Sequence, residues 1–258
     1  MVALFAFVAA IVGLAVGSFL NVVIYRLPRG ESLLQPPSQC PRCGHRLSAF
    51  ENVPIASWLV LGGRCRVCKA AISVRYPLIE AITAALFTLA VLELGVSVAA
   101  LAICVLAAVL IAVAFVDLDH LLIPDSLAYS TIATGFAFAA LSHHFVAALE
   151  GAAVFAGLLL VIYVVTRGAG LGLGDVKLGA GIGLFLGFPT AFAATLGSFV
   201  VGAVFAIPVL AAGRRGRREA LPFGPFMVIA SLIGAYAPVL LFGPGMAYER
   251  FLGTHLLR

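Results

Sequence analysis

The chain has 258 residues, 63% of them hydrophobic and 10% charged, with a mean hydropathy of +1.15. A soluble domain carries roughly a quarter charged residues, so the composition excludes a soluble enzyme and defines an integral membrane protein. The net charge of +5 is then a statement about membrane topology rather than a nucleic-acid footprint, and no nucleic-acid partner is expected.

The first apolar run, Val2 to Tyr25, has no basic n-region, exceeds a signal-peptide core and ends in no small-x-small site. It reads as an uncleaved first span. The apolar runs predict eight spans, over 3–25, 77–95, 97–116, 126–142, 145–166, 176–188, 191–212 and 222–243. Between the first two lies the only sizeable polar segment, Arg26 to Arg75. It carries eight basic residues; Arg167 and Lys177 flank the start of the sixth span, and Arg214, Arg215, Arg217 and Arg218 fill the loop 213–219. Alternating eight spans puts these 14 of the 16 basic residues on one side, with Arg250 and Arg258 on the other. The positive-inside rule makes the populated side cytoplasmic and both termini external.

The polar segment holds Cys40-Pro-Arg-Cys43 and, 21 residues later, Cys65-Arg-Val-Cys68. Two C-x-x-C turns can place four thiolates tetrahedrally around zinc. Arg42, Arg66 and Lys69 are expected to favour thiolate over thiol, and a reducing cytoplasm argues against disulfides. Four thiolates leave no position for water, so the zinc is expected to be structural, holding a segment with few aliphatics. His45 is not needed as a ligand. Cys104, mid-span, reads as an inert buried hydrophobe. The expected fold is an all-α polytopic membrane protein of about eight transmembrane helices, with a small cytoplasmic zinc-binding insertion between helices 1 and 2. Its parts are a first helix (1–25), the four-cysteine segment (26–76) and a seven-helix membrane core (77–258).

The third span runs into Asp117-Leu-Asp119-His120-Leu-Leu-Ile-Pro-Asp125. Asp125 follows a proline and reads as an N-cap. Asp119 and His120 read as solvated turn residues. Asp117 abuts the apolar run, where a carboxylate is expensive and by default a functional candidate. Further on, Gly168 to Gly187 forms a glycine-dense entry into an apolar helix with one carboxylate, Asp175, at its threshold. From Val176 to Phe188 is 13 residues, too short for a hydrocarbon core of roughly 30 Å, so Asp175 is expected below the membrane surface. Gly179, Gly183 and Gly187 repeat every four residues and should let a neighbouring helix approach closely. Two membrane-level aspartates at one face suggest paired acid–base chemistry, one carboxylate ionised and the other protonated. No G-x-S-x-G elbow, histidine triad or phosphate-binding glycine loop appears; His143-His144 reads as an exposed outer loop.

At these positions the sequence resembles a known family. GLGD at 172–175 resembles the GxGD signature of membrane aspartyl peptidases, and DLDHLLIPD at 117–125 resembles the partner motif of the bacterial type IV prepilin peptidases. GSFLNVVIYRLP at 17–28, the paired C-x-x-C turns, ISVRYPLIE at 72–80 and LPFGPFM at 221–227 follow in family order over nearly the whole chain. The resemblance implies that Asp117 and Asp175 are the catalytic dyad and that Cys40, Cys43, Cys65 and Cys68 are the zinc ligands. It implies cleavage of the basic leader of prepilins or pseudopilins, of pili or type II secretion, after a glycine at the cytoplasmic face of the inner membrane. It also implies N-methylation of the new terminus with S-adenosylmethionine. Arg75 and Glu80, with Tyr76 and Asn21 nearby, are the polar groups placed to contribute on the cofactor side. The LPFGPFM stretch is expected to supply a backbone turn at the mouth of the site, and the basic loop 213–219 to face membrane lipid. Rival readings are a proton- or ion-coupled transporter, which would carry mid-span carboxylates and a repeat, and a non-catalytic zinc-bearing scaffold.

Overall fold

The computed structural model describes residues 1–142, 145–211 and 221–242. The expectations for His143-His144, the 213–219 loop, Arg250 and Arg258 fall outside the described residues. Among the described residues the regular structure is helical apart from two isolated bridges in the 30–74 segment, and the chain divides into two compact units, Met1–Gly95 and Val96–Arg258.

In the first unit, α1 (Val2–Arg26) ends where Leu27-Pro28 and a left-handed Gly30 turn the chain away. A short helix, α2 (Ala56–Val60), lies within the polar segment, and α3 (Arg75–Leu94) ends at Gly95, φ +63°. The pair α1/α3 packs backbone to backbone. A Cβ on Gly13 would lie 2.6 Å from Ala84 Cα, and one on Gly17 would lie 2.7 Å from Glu80 Cα. Buried Asn21 continues the series, its Nδ2 donating to Gly17 O and to Tyr76 O, each at 3.2 Å. As the α1 number rises by four the α3 number falls by four, so the helices are antiparallel. Lipid is as apolar as leucine, so close van der Waals approach and interhelical hydrogen bonds, rather than water exclusion, hold such a pair. Asn21, expected on the cofactor side, is a bridge between the two helices.

The second unit contains α4 (Val98–His120), α5 (Asp125–Leu141), α6 (Phe145–Thr166), α7 (Leu173–Leu186), α8 (Thr190–Ala211) and α9 (Gly224–Phe242). Ser97 caps α4, its Oγ accepting from Ala100 N–H at 3.1 Å. Leu121, in the left-handed region at φ +53°, closes the helix by donating to Asp117 O. The centre of the unit is α7, which packs against α5 and α6. Its glycines explain the fit: a Cβ on Gly179 would meet Phe155 at 2.8 Å, one on Gly183 would collide with the α6 backbone at Gly151 and Ala152, and one on Gly181 would meet Thr131 of α5 at 2.8 Å. The strip at 179, 183 and 187 does face a neighbouring helix, α6, while Gly181 serves the opposite neighbour. Around this contact Leu106, Leu110, Val113, Phe155, Leu159, Leu178, Ile182 and Met227 form the core.

Among the described residues five helices, α1, α3, α4, α6 and α8, are long and apolar enough to cross a membrane. The fold is thus an all-α, polytopic membrane protein, with a helix on each of the eight predicted segments. Several boundaries differ; the third predicted span, 97–116, continues as α4 to His120, so Asp117 and Asp119 lie within the helix. The helix α7 begins at Leu173, three residues before the expected start, so Asp175 stands inside its first turn; its 14 residues span only about 21 Å. Asp125 is the first residue of α5 rather than its N-cap, a position held by Pro124.

Candidate active site and metal centre

Asp117 lies three residues from the end of α4 and is 5% exposed. At the C-terminus of its own helix a carboxylate opposes the macrodipole. The structure offsets this by placing the side chain on the start of α9: Asp117 Oδ2 accepts from the N–H of Gly224 at 2.8 Å. Only glycine permits this approach. A Cβ at 224 would lie 2.7 Å from Asp117 Oδ2 and 3.1 Å from Cγ. Pro225 follows in the first turn, where its missing N–H leaves no helical bond unmade.

Asp175 is likewise at a helix start, here its own. From the first turn of α7 its Oδ2 reaches back to the N–H of Gly172 at 2.8 Å, as an N3 carboxylate does in a capping box. The close packing of this turn needs glycine again at 174, where a Cβ would come within 3.1 Å of Ile123 Cβ. Asp117 and Asp175 line one pocket of about 370 Å³, together with 121–123, 168–172, Gly174 and 221–223. The wall includes Leu121, whose left-handed backbone is of the kind that costs about 1–3 kcal/mol and clusters at functional sites. Two carboxylates, each with one oxygen tied to a backbone N–H, therefore line one cleft.

The neighbouring acids are elsewhere. Asp119 is exposed and His120 half-buried, but both belong to the last turn of α4 rather than to the turn that the sequence suggests. Asp125 accepts from Lys177 Nζ at 2.7 Å, and the same ammonium stands 5.0 Å from the centroid of the Tyr129 ring. That pair fastens the first turn of α7 to the first turn of α5.

In the first unit the two C-x-x-C turns are near copies. Cys40 N–H donates to His45 O and Gly44 N–H to Cys40 O; Cys65 N–H donates to Ala70 O and Lys69 N–H to Cys65 O. Gly44 and Lys69, one residue past each turn, both take positive φ, +70° and +57°. Each loop closes with a single bridge, Gln39–Arg46 and Arg64–Ala71. The result brings the four Sγ atoms of Cys40, Cys43, Cys65 and Cys68 within 4.8 Å of one another, a cluster able to hold a metal ion. The backbone N–H groups of Arg42 and Cys43 draw the Cys40 thiol down to about 7. Those of Cys68 and Val67 lower Cys65 in the same way. At Cys43 the N–H of His45 acts downward, but burial and the neighbouring thiols push it up to about 11. The thiolate preference thus comes first from the main chain of each turn, not from the guanidinium groups that the sequence suggested. His45 is not in the cluster; its Nε2 meets Glu51 at 3.2 Å. The Ser48 N–H and hydroxyl donate to that same carboxylate and hold it at about 2. Cys104 is buried and unpaired within α4.

Glu80 and Arg75 lie at the start of α3. Glu80 is 7% exposed, and its Oε2 accepts from Ile55 N–H at 2.7 Å. Ile55 is the centre of a tight turn, φ +58° and ψ −53°, with Ala56 N–H donating to Pro54 O at 2.5 Å; the carboxylate clamps this strained residue. Arg75, half-buried, is the first residue of α3. Sequence reasoning missed Arg26, which is buried and donates to Ser32 O at 3.0 Å and Pro36 O at 2.6 Å, folding the start of the polar segment onto α1. The LPFGPFM stretch does line the mouth of the pocket through 221–223, but the donation from Gly224 to Asp117 was not foreseen.

The fold and these two centres define a polytopic membrane protein with a two-aspartate cleft and a separate four-cysteine cluster. Residues 11–94 match the bacterial peptidase A24 N-terminal domain, and residues 104–207 match the type IV leader peptidase family. Curated relatives include a prepilin leader peptidase/N-methyltransferase of Aeromonas salmonicida, 37% identical over 85% of this chain and 86% of the relative. Proteins of the same description from Pseudomonas aeruginosa (36% identical, 86% and 87% covered) and Myxococcus xanthus (42%, 83% and 66%) also match. No solved structure matches. The chain belongs to the type IV leader peptidase family.

Proposed function

We propose that this protein is a prepilin leader peptidase that cuts the basic leader of type IV prepilins or pseudopilins after a glycine, with Asp117 and Asp175 as the catalytic pair. The observation that carries this reading is the single pocket lined by both carboxylates, each held by a glycine N–H at a helix start. One oxygen of each aspartate is committed, leaving the other to exchange protons with water and substrate. The ionised aspartate takes a proton from a water as that water attacks the scissile carbonyl. The protonated one donates to the carbonyl oxygen; the first, now carrying the water's proton, passes it to the leaving amine as the gem-diol collapses and returns its hydroxyl proton to the second. No covalent enzyme intermediate forms.

The topology that suits this chemistry is eight spans in the bacterial inner membrane, both termini external and the pocket facing the cytoplasm, where a Lys/Arg-rich leader stays. The peptidase is then carried by the 77–258 core, and the 26–76 segment is its cytoplasmic insertion. Zinc fits the four cysteines, since four sulfurs within 4.8 Å suit a closed tetrahedral site; its part is to hold the insertion in shape.

The N-methyltransferase activity would act on the new N-terminus, with S-adenosylmethionine as methyl donor. Arg75 and Glu80 are the groups proposed on its side. Glu80 already accepts from Ile55, so its part in that reading is to hold the loop, and Arg75 is the residue suited to meet a donor carboxylate. The test is incubation of the purified protein in liposomes with a prepilin, with and without S-adenosylmethionine. Mass spectrometry should show loss of the leader after glycine, and a gain of one methyl group only when the donor is present. An intact prepilin would overturn the reading.

A further inference from the structure

Between α1 and α3 the chain makes a segment, 27–74, whose surface is unlike that of a free-standing cytoplasmic module. Its only buried hydrophobic side chains are Cys40 and Cys65, while Leu34, Phe50 and Val60 are 85%, 86% and 86% exposed and Leu59 and Val67 also face outward. A module made for water would turn such side chains inward, and this much exposed apolar surface in a short segment marks a contact. The same segment is strongly cationic: Arg29, Arg42, Arg46, Arg64, Arg66 and Lys69 are all exposed, against two glutamates, of which Glu51 is already engaged by Ser48 and His45.

The segment cannot leave the bilayer. It is tied to two antiparallel helices of membrane-spanning length at the ends that meet near Arg26 and Arg75. That end is marked as an interface by Tyr25 and Tyr76, both exposed; the Arg29 guanidinium lies 4.1 Å from the Tyr25 ring centroid. Aromatic rings and snorkelling cations are the usual furniture of the headgroup level. The α2 helix with Leu59 and Val60 is joined to the second cysteine turn through Trp58 Nε1–H to Ile72 O, 3.1 Å, and Ile72 N–H to Gly63 O, 2.7 Å. The apolar tip and the cations Arg64, Arg66 and Lys69 therefore belong to one closed substructure.

We infer that the cysteine segment lies on the membrane surface, inserting its exposed apolar side chains at the headgroup level and binding anionic lipid headgroups through its exposed arginines. Hydrophobic insertion and electrostatic attraction to anionic lipid reinforce one another in such surfaces. The metal cluster then stiffens a membrane-docked platform.

Trp58 is the only tryptophan in the chain and stands beside Leu59 and Val60, which makes it a reporter needing no label. The full-length protein would be placed in nanodiscs of phosphatidylglycerol or phosphatidylcholine doped with acyl-brominated lipid. In phosphatidylglycerol the Trp58 emission is expected to be blue-shifted and quenched. Both signals should fall in phosphatidylcholine, at high salt, in an Arg64→Gln/Arg66→Gln variant and in a Leu59→Ser/Val60→Ser variant. Bound metal per chain shows that each variant is folded. Unquenched, water-exposed emission in phosphatidylglycerol would overturn the inference, as would quenching equal in both lipids and both variants. Emission that changes only when a prepilin is added would assign the surface to substrate and overturn it too.

Discussion

The N–H of Gly224 donates to Asp117 Oδ2 at 2.8 Å, across 107 residues of chain, and a Cβ at 224 would stand 2.7 Å from that same oxygen. The carboxylate at the end of α4 is therefore positioned by the start of α9. Gly224→Ala should push the side chain off this donor. A hydrogen bond to a charged group is worth about 1.5–3 kcal/mol, so leader cleavage should fall about 10- to 100-fold. The loss should appear in kcat with KM little changed and the metal still bound. Unaltered kcat would show that the contact does not serve the reaction.

The α6–α7 interface predicts a different kind of failure. Gly183 has no room for a side chain against Gly151 and Ala152, and overpacking typically costs about 1–3 kcal/mol. Gly183→Val should lower the thermal midpoint and remove cleavage together. Gly157, whose added Cβ would meet nothing, should accept alanine with neither effect; a thermal melt of both variants checks this.

Much of the site was legible in the sequence because its signals are local and chemical. Two C-x-x-C turns announce a metal cluster by spacing alone, and a carboxylate abutting an apolar run is conspicuous. The rest was hidden for physical reasons. Gly224 acts through a main-chain N–H, and its partner, for which the missing Cβ makes room, is far away in sequence. Asn21 and Glu80 looked like ligand-binding polar groups, yet each satisfies a neighbouring backbone, Tyr76 O and Ile55 N–H, a pairing that only the antiparallel fold of α1 and α3 reveals. The start of α7 was placed three residues late because a run of glycines carries weak helix propensity; Asp175 capping Gly172 overrides it.

The metal centre should respond to pH in a defined direction. Cys40 titrates at about 7, below its ordinary 9.0, because backbone N–H groups favour its thiolate. Its contribution is complete above pH 9.0 and lost as pH falls through about 7, and protons compete with metal for the same sulfur. Zinc uptake by the metal-free protein should weaken as pH drops through this window. Hydrogen exchange should report loosening confined to 26–75. A zinc affinity flat across the window would contradict the thiolate assignment.

The Asp125–Lys177 pair, 63% and 29% exposed at its side chains, is of the solvent-screened kind worth about 0–1 kcal/mol. Asp125→Asn should shift the melting midpoint only slightly and retain much of the cleavage. A large loss would mean that the first turn of α7 depends on this tether.

The central claim is that Asp117 and Asp175 act together on the peptide bond, and single asparagine substitutions test it most directly. Asparagine keeps size and polarity but cannot share the proton. Leader cleavage in liposomes by Asp117→Asn and by Asp175→Asn should each be essentially abolished, with metal content intact, while Asp119→Asn retains much of its activity. If either dyad variant still cuts, the aspartyl assignment is wrong at that position. If both cut, the carboxylates in the pocket are not the catalysts.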